Sequence, residues 1–156
     1  MKLELYYTVN FDHHNTVSIL NMKLLILIFV CVHFTFSLKL NQETIEKWNE
    51  LIRPYNERCI SESGVKKELA DSLYTNLDYP DDQNFKCYVN CLSRELGVLD
   101  SNNKFDKGRL AELTLEDQSE LLDSCIKKAE QFSKQCEIGF IFTTCGIISI
   151  AKKQNP

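Results

Sequence analysis

Apolar residues recur at helical intervals along most of the chain after residue 40. The first such series consists of Ile45, Trp48, Ile52, Tyr55 and Cys59. Three- and four-residue spacings place these side chains on one face, which predicts an amphipathic helix. Asn41 precedes the series and is a typical N-cap residue. Pro54 lies inside the series and is expected to kink the helix or to end its regular part.

The same spacing predicts five further helices and no alternating strand, which indicates an all-α domain. Four of them are expected at Val65–Leu73, from Asp81 or Asp82 to Leu96, at Asp106–Leu113 and at Gln135–Ile150. The remaining helix is expected to begin at the Thr114 cap, with Asp117 as the capping-box acid. Its apolar face consists of Leu122, Cys125, Ile126, Ala129 and Phe132. Gly97 is expected to stop the third helix. The polar tail, residues 152–156, is expected to be mobile.

The segment before residue 38 has the features of a secretory signal peptide. Met22 and Lys23 precede an uncharged run of 13 residues, Leu24–Phe36, and Ser37 offers a small residue before Leu38. The run is too short for a membrane-spanning helix, which needs about 20 apolar residues, so a signal anchor is disfavoured. We therefore expect residues 22–37 to be removed, residues 1–21 to be an upstream extension, and residues 38–156 to form a soluble, extracellular domain.

Removal of that segment changes the cysteine count from seven to six, because Cys31 is lost. The remaining residues are Cys59, Cys87, Cys91, Cys125, Cys136 and Cys145. An even number of cysteines in a secreted chain predicts three disulfides. The three histidines also precede residue 38, so the predicted domain has none.

The lack of histidine excludes several classes of site from the predicted domain. Nucleophilic triads and dyads need an imidazole base, and many zinc sites need an imidazole ligand. The spacing also contains no C-x-x-C pair, so neither a metal site nor a redox site is expected, and no cofactor is implied. The carboxylates follow the spacing of solvated helix faces, so we expect no enzymatic activity. A net charge of −4 argues against nucleic-acid binding.

Helical geometry limits how the six cysteines can pair. Cys87 and Cys91 lie four residues apart and point the same way along one helix face, which disfavours a bond between them. Cys136 and Cys145 are nine residues apart and face opposite sides of their helix. Excluding these two pairs leaves ten of the fifteen pairings, and the geometry does not choose among them.

The intervals between the cysteines are more specific than their number. The gaps contain 27, 3, 33, 10 and 8 residues, and the second and last match the most constant features of the six-cysteine insect odorant-binding proteins. The stretches Pro80–Asp82 and Phe85–Cys91 and the loop from Gly97 to Asp106 are similar as well. The predicted domain thus resembles this family over its whole length. The resemblance implies the pairs Cys59–Cys91, Cys87–Cys136 and Cys125–Cys145, which form three interlocked disulfides.

The resemblance also implies about six helices around an apolar cavity that carries a small hydrophobic ligand. By position relative to the cysteines, the candidate wall residues are Ile52, Tyr55, Ser93, Leu122, Ile126, Ile138, Phe142 and Gly146, with Leu73, Tyr88, Leu92, Leu110 and Leu113 as second choices. Trp48 is expected in the core, although it could stack on a ligand. Whether residues 146–150 line or close the cavity is left open. Any one apolar residue in this set is more often ordinary core than cavity wall.

The expected function is that of a secreted carrier that delivers odorants, pheromones or lipid-like molecules, for example to chemosensory receptors. Two alternatives stay open: a carrier of the same fold in saliva, venom or haemolymph, and a disulfide-rich protein whose partner is another protein. Homodimerisation is also left open, and no stable membrane insertion is expected. Without histidine, the ligand affinity should change little between pH 7 and pH 6.

Overall fold

The computed structural model describes residues 38–113 and 119–155, and the regular structure within these ranges is helical. The helices are α1 (Gln42–Ser63), α2 (Lys67–Asp71), α3 (Gln83–Glu95), α4 (Lys107–Leu113), α5 (Ser119–Ala129) and α6 (Gln135–Gln154). This confirms the all-α prediction. The predicted signal peptide, the extension before it and the predicted cap at Thr114 with Asp117 lie outside the described residues. Within the described ranges, no helix is both long enough and apolar enough to cross a membrane.

Helix α1 begins as predicted and continues further than predicted. The side chain of Asn41 accepts a hydrogen bond from the backbone N–H of Thr44 at 2.8 Å. Pro54 does not end the helix, which runs through it to Ser63. Pro54 and Glu50 are both exposed, so water can bond the Glu50 carbonyl that proline leaves without a donor. Gly64 ends the helix in the left-handed conformation, with φ of 68°.

Of the next three helices, α3 and α4 begin at aspartate caps, whereas α2 has no side-chain cap. Helix α2 is shorter than the predicted 65–73 because the chain turns after Asp71. Asp82, one of the two predicted candidates, caps α3 by accepting from the Phe85 N–H at 2.7 Å. Gly97 follows α3 with φ of 73°, as expected for a helix stop. Asp106 accepts from the Arg109 N–H at 2.9 Å at the start of α4.

The last two helices correct two predictions. Helix α5 ends at Ala129, so Phe132 lies beyond it and is 37% exposed. Helix α6 continues past Ile150 to Gln154, so the expected mobile tail is helical through that residue. Lys152 and Lys153 lie in its last turn, where positive charge favours a helix.

The end of α6 is bonded to the start of α1, which explains why it is ordered. Gln154 accepts from the Asn41 N–H at 2.8 Å and donates to Thr44 Oγ1 at 3.0 Å. Asn155 donates to the Lys39 carbonyl at 2.6 Å. These side chains close the two ends of the described chain against each other.

The disulfides confirm the implied pairing. Cys59–Cys91 joins α1 to α3, Cys87–Cys136 joins α3 to α6, and Cys125–Cys145 joins α5 to α6, with Cα–Cα distances of 5.6, 4.6 and 5.7 Å. Helices α3 and α6 therefore form the cross-linked centre of the fold. The other helices pack around this pair.

The buried apolar residues form two clusters. The first cluster includes Leu40, Ile52, Leu73, Tyr74, Phe85, Tyr88, Val89, Phe140, Ile147 and Ala151. The second contains Val98, Leu99, Leu110, Cys125, Ile126, Ala129, Ile138 and Phe142. Leu96 and Ile141 pack against both clusters.

Candidate functional site

An apolar cavity of about 130 Å³ lies between residues of the two clusters. Its walls come from every helix except α2, together with the turn after α2 and the loop after α3. The lining residues are Trp48, Leu51, Tyr74, Ser93, Leu96, Val98, Leu110, Leu113, Leu121, Leu122, Phe142, Thr143, Gly146, Ile147 and Ile150. Most of these side chains are aliphatic, so the walls favour an apolar occupant.

The aromatic wall is formed by α1 and the turn after α2. The rings of Trp48 and Tyr74 pack at 5.3 Å between centroids with a tilt of 56°. The turn is held by the Tyr79 hydroxyl, which donates to the Leu73 carbonyl at 3.0 Å. This bond fixes the backbone beside Tyr74 and so positions its ring in the wall.

The loop between α3 and α4 supplies another part of the wall. Val98 is buried because its N–H bonds the Ser93 carbonyl at 3.0 Å and its carbonyl accepts from the Asp106 N–H at 3.0 Å. Arg109 Nε donates to the Leu96 carbonyl at 2.9 Å, which ties α4 to the end of α3. These bonds hold α4 so that its leucines border the cavity.

The cavity side of α6 contains the clearest reason for the empty space. A Cβ atom added at Gly146 would meet no atom within 4 Å, so a missing side chain leaves room at this point. The adjacent Cys145 is bonded to Cys125, which holds α5 against α6. The disulfide therefore fixes one wall beside the glycine.

Two hydroxyl groups in the wall are bonded to each other, and their protons can be assigned. Ser93 Oγ lies 3.0 Å from the Val89 carbonyl, to which it donates, and 3.0 Å from Thr143 Oγ1. Because the single Ser93 proton is used on the carbonyl, Thr143 is the donor in the second bond. Thr143 Oγ1 then keeps acceptor capacity and has no proton left to donate.

The cavity is electrically neutral at ordinary pH. No Asp, Glu, Lys, Arg or His is among the described residues that line it. Burial raises the pKa of Tyr74 well above that of a free phenol, and the neighbouring Tyr88 and Tyr79 phenols raise it further. Tyr74 therefore stays protonated, and any selectivity must come from shape and neutral hydrogen bonds.

Of the eight first-choice wall residues, the structure places four around the cavity: Ser93, Leu122, Phe142 and Gly146. The further second choices Leu110 and Leu113 also line it, as does Trp48. The other candidates pack elsewhere in the two clusters and are Ile52, Tyr55, Leu73, Tyr88, Leu92, Ile126 and Ile138. Tyr88, for example, is fully buried and donates to Asn56 Oδ1 at 2.6 Å, so its hydroxyl is used within the protein.

Eight lining residues were not among the candidate wall residues named from the sequence, although two of them fall within residues 146–150, for which lining of the cavity was left open. They are Leu51, Tyr74, Leu96, Val98, Leu121, Thr143, Ile147 and Ile150. Ile147 lies four residues after Thr143 and Ile150 lies four residues after Gly146, so both follow the helical spacing of the cavity face of α6. Tyr74 and Val98 lie in non-helical segments, where no periodic signal identifies the buried side.

A larger cleft of about 830 Å³ lies elsewhere and has a different character. Its walls include Arg58, Glu62, Glu95 and Asp100, and Arg58 pairs with Glu95 at 3.0 Å. Charged side chains of this kind prefer water to an apolar ligand. No group of His, Cys, Asp and Glu within the described ranges is arranged to hold a metal ion.

Comparison with known proteins agrees with this arrangement. The model of the PBP/GOBP family matches residues 41–147. General odorant-binding protein 99a of Drosophila melanogaster is 26% identical over 98 residues, which cover 58% of this chain and 68% of that protein. No solved structure gives a significant match. Since the family match spans well over half of the chain, the protein belongs to the insect odorant-binding protein family.

Proposed function

We propose that the protein is a secreted carrier that takes up small, neutral, hydrophobic molecules in the cavity between its two clusters. The neutral, largely aliphatic wall is the observation that carries this proposal. Family membership and the name of the Drosophila relative support it. A carrier needs only a shielded apolar surface and a few neutral polar groups, and the cavity supplies both.

The size of the cavity favours a compact ligand. An apolar cavity of about 150 Å³ is large enough for benzene. At about 130 Å³, the present cavity suits a molecule of similar bulk, such as a short volatile or a small ring. A long-chain lipid would have to displace wall residues.

The place of action is part of the proposal. Three disulfides form and persist in oxidising compartments, which supports an extracellular protein. We propose that the ligand is carried through an extracellular fluid to a chemosensory receptor. The same cavity chemistry would serve a carrier in another body fluid, and the tissue in which the protein is expressed separates the two roles.

The single tryptophan of the chain makes the proposal directly testable. Trp48 lines the cavity, so energy transfer from Trp48 to a bound naphthylamine dye reports occupancy. Protein recovered from the medium of cells that express the full chain should bind the dye saturably, with a Kd of about micromolar, near −8 kcal/mol. Short-chain esters or alcohols should displace it.

A pair of bulk-adding variants locates the binding site. Gly146→Leu places a side chain in the open space and should abolish dye binding. Ala111→Leu adds bulk on the exposed side of α4 and should leave binding unchanged. Absence of dye and volatile binding by the helical, oxidised protein would overturn the carrier function and direct attention to a protein partner.

A further inference from the structure

The Tyr74 hydroxyl differs in its hydrogen bonding from the Tyr79 and Tyr88 hydroxyls of the first cluster. Tyr79 and Tyr88 donate to the Leu73 carbonyl and to Asn56 Oδ1, at 3.0 and 2.6 Å. Among the described residues, no group is hydrogen-bonded to the Tyr74 hydroxyl. Tyr74 is nevertheless only 8% exposed and lines the cavity. The hydroxyl oxygen is not among the fully buried atoms that lack a partner, so it borders accessible space and its proton is free to bond a ligand.

The other polar groups of the wall cannot replace Tyr74 as a shielded donor. The Ser93 and Thr143 protons are committed to Val89 and to Ser93, as shown above. The Trp48 indole N–H is also without a hydrogen bond among the described residues, but Trp48 is only partly buried and is open to competition from water. Tyr74 is therefore the donor that gains most from a ligand.

We propose that Tyr74 determines ligand class by donating its phenolic hydrogen bond to a carbonyl oxygen of a compact ketone, aldehyde or ester. This inference rests on the proposed carrier function and makes it more specific. A carbonyl needs one donor and offers no proton, which matches a wall with one shielded free donor. An alcohol also accepts from Tyr74, but its own proton requires a second bond, for which Thr143 Oγ1 is the acceptor.

A matched pair of ligands tests the hydrogen bond separately from the fit. Cyclohexanone and methylenecyclohexane have nearly the same shape, and only the ketone accepts a hydrogen bond. The Kd of each is measured by partition of the volatile between headspace and a solution of the secreted protein. For each variant, the Kd of cyclohexanone is divided by the Kd of methylenecyclohexane. The free energy of removing the ketone carbonyl from water is the same for every variant, so it does not affect a comparison of these ratios.

In Tyr74→Phe, the Kd for cyclohexanone should rise by about 3–10-fold, the range of one neutral hydrogen bond. The Kd for methylenecyclohexane should change by less than about twofold. Tyr55→Phe removes the hydroxyl of a tyrosine that packs against the first cluster without lining the cavity, and it should leave the ratio unchanged. Trp48→Phe should also leave it unchanged, although both Kd values can move together.

A second measurement on the unmodified protein does not depend on a variant. The infrared carbonyl band of bound cyclohexanone should lie at lower frequency than in an alkane solvent, and this shift should disappear in Tyr74→Phe. Removing an unbonded hydroxyl should leave the melting temperature equal or higher, whereas a structural role for the hydroxyl would lower it.

The outcomes separate the two proposals. If the unmodified protein binds neither ligand nor the naphthylamine dye, the carrier function fails, and the role of Tyr74 fails with it. If the alkene or the dye binds but Tyr74→Phe leaves the ratio unchanged, only the role of Tyr74 is overturned. A ratio that moves in Trp48→Phe and not in Tyr74→Phe would assign the donor to the indole instead.

Discussion

Helix α6 packs tightly at one glycine and borders empty space at the other. A Cβ atom at Gly139 would lie 2.8 Å from Asn90 Cα and 2.6 Å from Asn90 Oδ1, both on α3. A Cβ atom at Gly146 would meet nothing within 4 Å. The two positions are two helical turns apart, so one helix serves both as a packing element and as a cavity wall. The lack of a side chain allows close approach at the first site and leaves space at the second.

The first cluster and the cavity wall also differ in the residues that form them. The first cluster is filled by aromatic rings, with Phe85 and Phe140 at 6.1 Å, Tyr79 and Phe85 at 6.1 Å, and Phe85 and Tyr88 at 6.2 Å between centroids. The cavity is bordered mainly by leucine and isoleucine. Large rings fill the space between α3 and its neighbours, whereas branched aliphatic side chains leave an unfilled volume that a ligand can occupy.

An empty apolar cavity has a cost that the cross-links can offset. At about 24 cal/mol per Å³, a cavity of 130 Å³ costs about 3 kcal/mol. In the chain-entropy model, disulfides closing separations of 32, 49 and 20 residues each stabilise by about 3–4 kcal/mol. The disulfides can therefore offset the cost of an unfilled cavity beside the aromatic rings of the first cluster.

The largest expected effect is on the tyrosines of the first cluster, at high pH. Burial raises the pKa of Tyr74, Tyr79 and Tyr88, so the folded protein keeps phenolic protons that the unfolded chain loses above pH about 10. Stability from these phenols is complete below pH 10 and is lost as the pH rises toward the folded-state values. At about 1.4 kcal/mol per tyrosine and pH unit, the free energy of unfolding should fall by about 3–4 kcal/mol by pH 11.

Urea denaturation at pH 8, 10 and 11 measures this loss. Tyr79→Phe removes one of the three phenols and should reduce the slope above pH 10 by about a third. Equal free energies of unfolding at pH 8 and pH 11 would show that the phenols are not shielded from water in the folded protein.

Gly139→Ala tests the tight packing of α3 against α6 and should destabilise the protein by about 1–3 kcal/mol. The added methyl group meets the Asn90 backbone, which cannot rotate away, so the helices must separate. The Gly139 N–H also bonds Asn90 Oδ1 at 3.3 Å, and separation would lengthen that bond. The midpoint of urea denaturation is the measurement. An unchanged midpoint would mean that the helices approach less closely than described.

These two glycines also show how far the sequence could predict the structure. Helical spacing identified the six helices of the described residues, and the resemblance implied the disulfides, because both depend on local periodicity or on cysteine intervals. Whether an apolar side chain packs on a neighbour or borders a void depends on the volumes of side chains from other helices. Ile52 and Ile147 look equivalent in the sequence, yet only Ile147 lines the cavity.

Segments outside the helices were the least predictable part of the site. Tyr74 lies in the turn after α2, and Val98 lies in the loop after α3. Their burial depends on specific backbone bonds, such as that from Val98 to Ser93, and these cannot be deduced from spacing. Loop length and turn residues limit the path that the backbone can take, but they do not predict the direction of each side chain.

Gly146→Ala should have the opposite effect on stability from Gly139→Ala. Alanine is favoured over glycine inside a helix by about 1 kcal/mol, and here the methyl group has free space. The midpoint of urea denaturation should therefore rise, while dye affinity should fall because the methyl group occupies part of the cavity. Gly108→Ala, on the exposed side of α4, should leave dye affinity unchanged. A destabilised Gly146→Ala protein would show that the space beside Gly146 is filled in solution.

The smallest effect is expected for ligand affinity between pH 7 and pH 6, where the Kd for the naphthylamine dye should change by less than about twofold. The described cavity lining has no carboxylate, ammonium, guanidinium or imidazole group, and the raised pKa keeps Tyr74 protonated throughout. The surface pair Lys86 and Asp81 does not titrate in this window either, because their interaction raises the pKa of the lysine and lowers that of the carboxyl. Dye titrations at the two pH values, at constant ionic strength, make the comparison. A tenfold loss of dye affinity at pH 6 would require a titrating group next to the bound dye, and the cavity would then not be neutral.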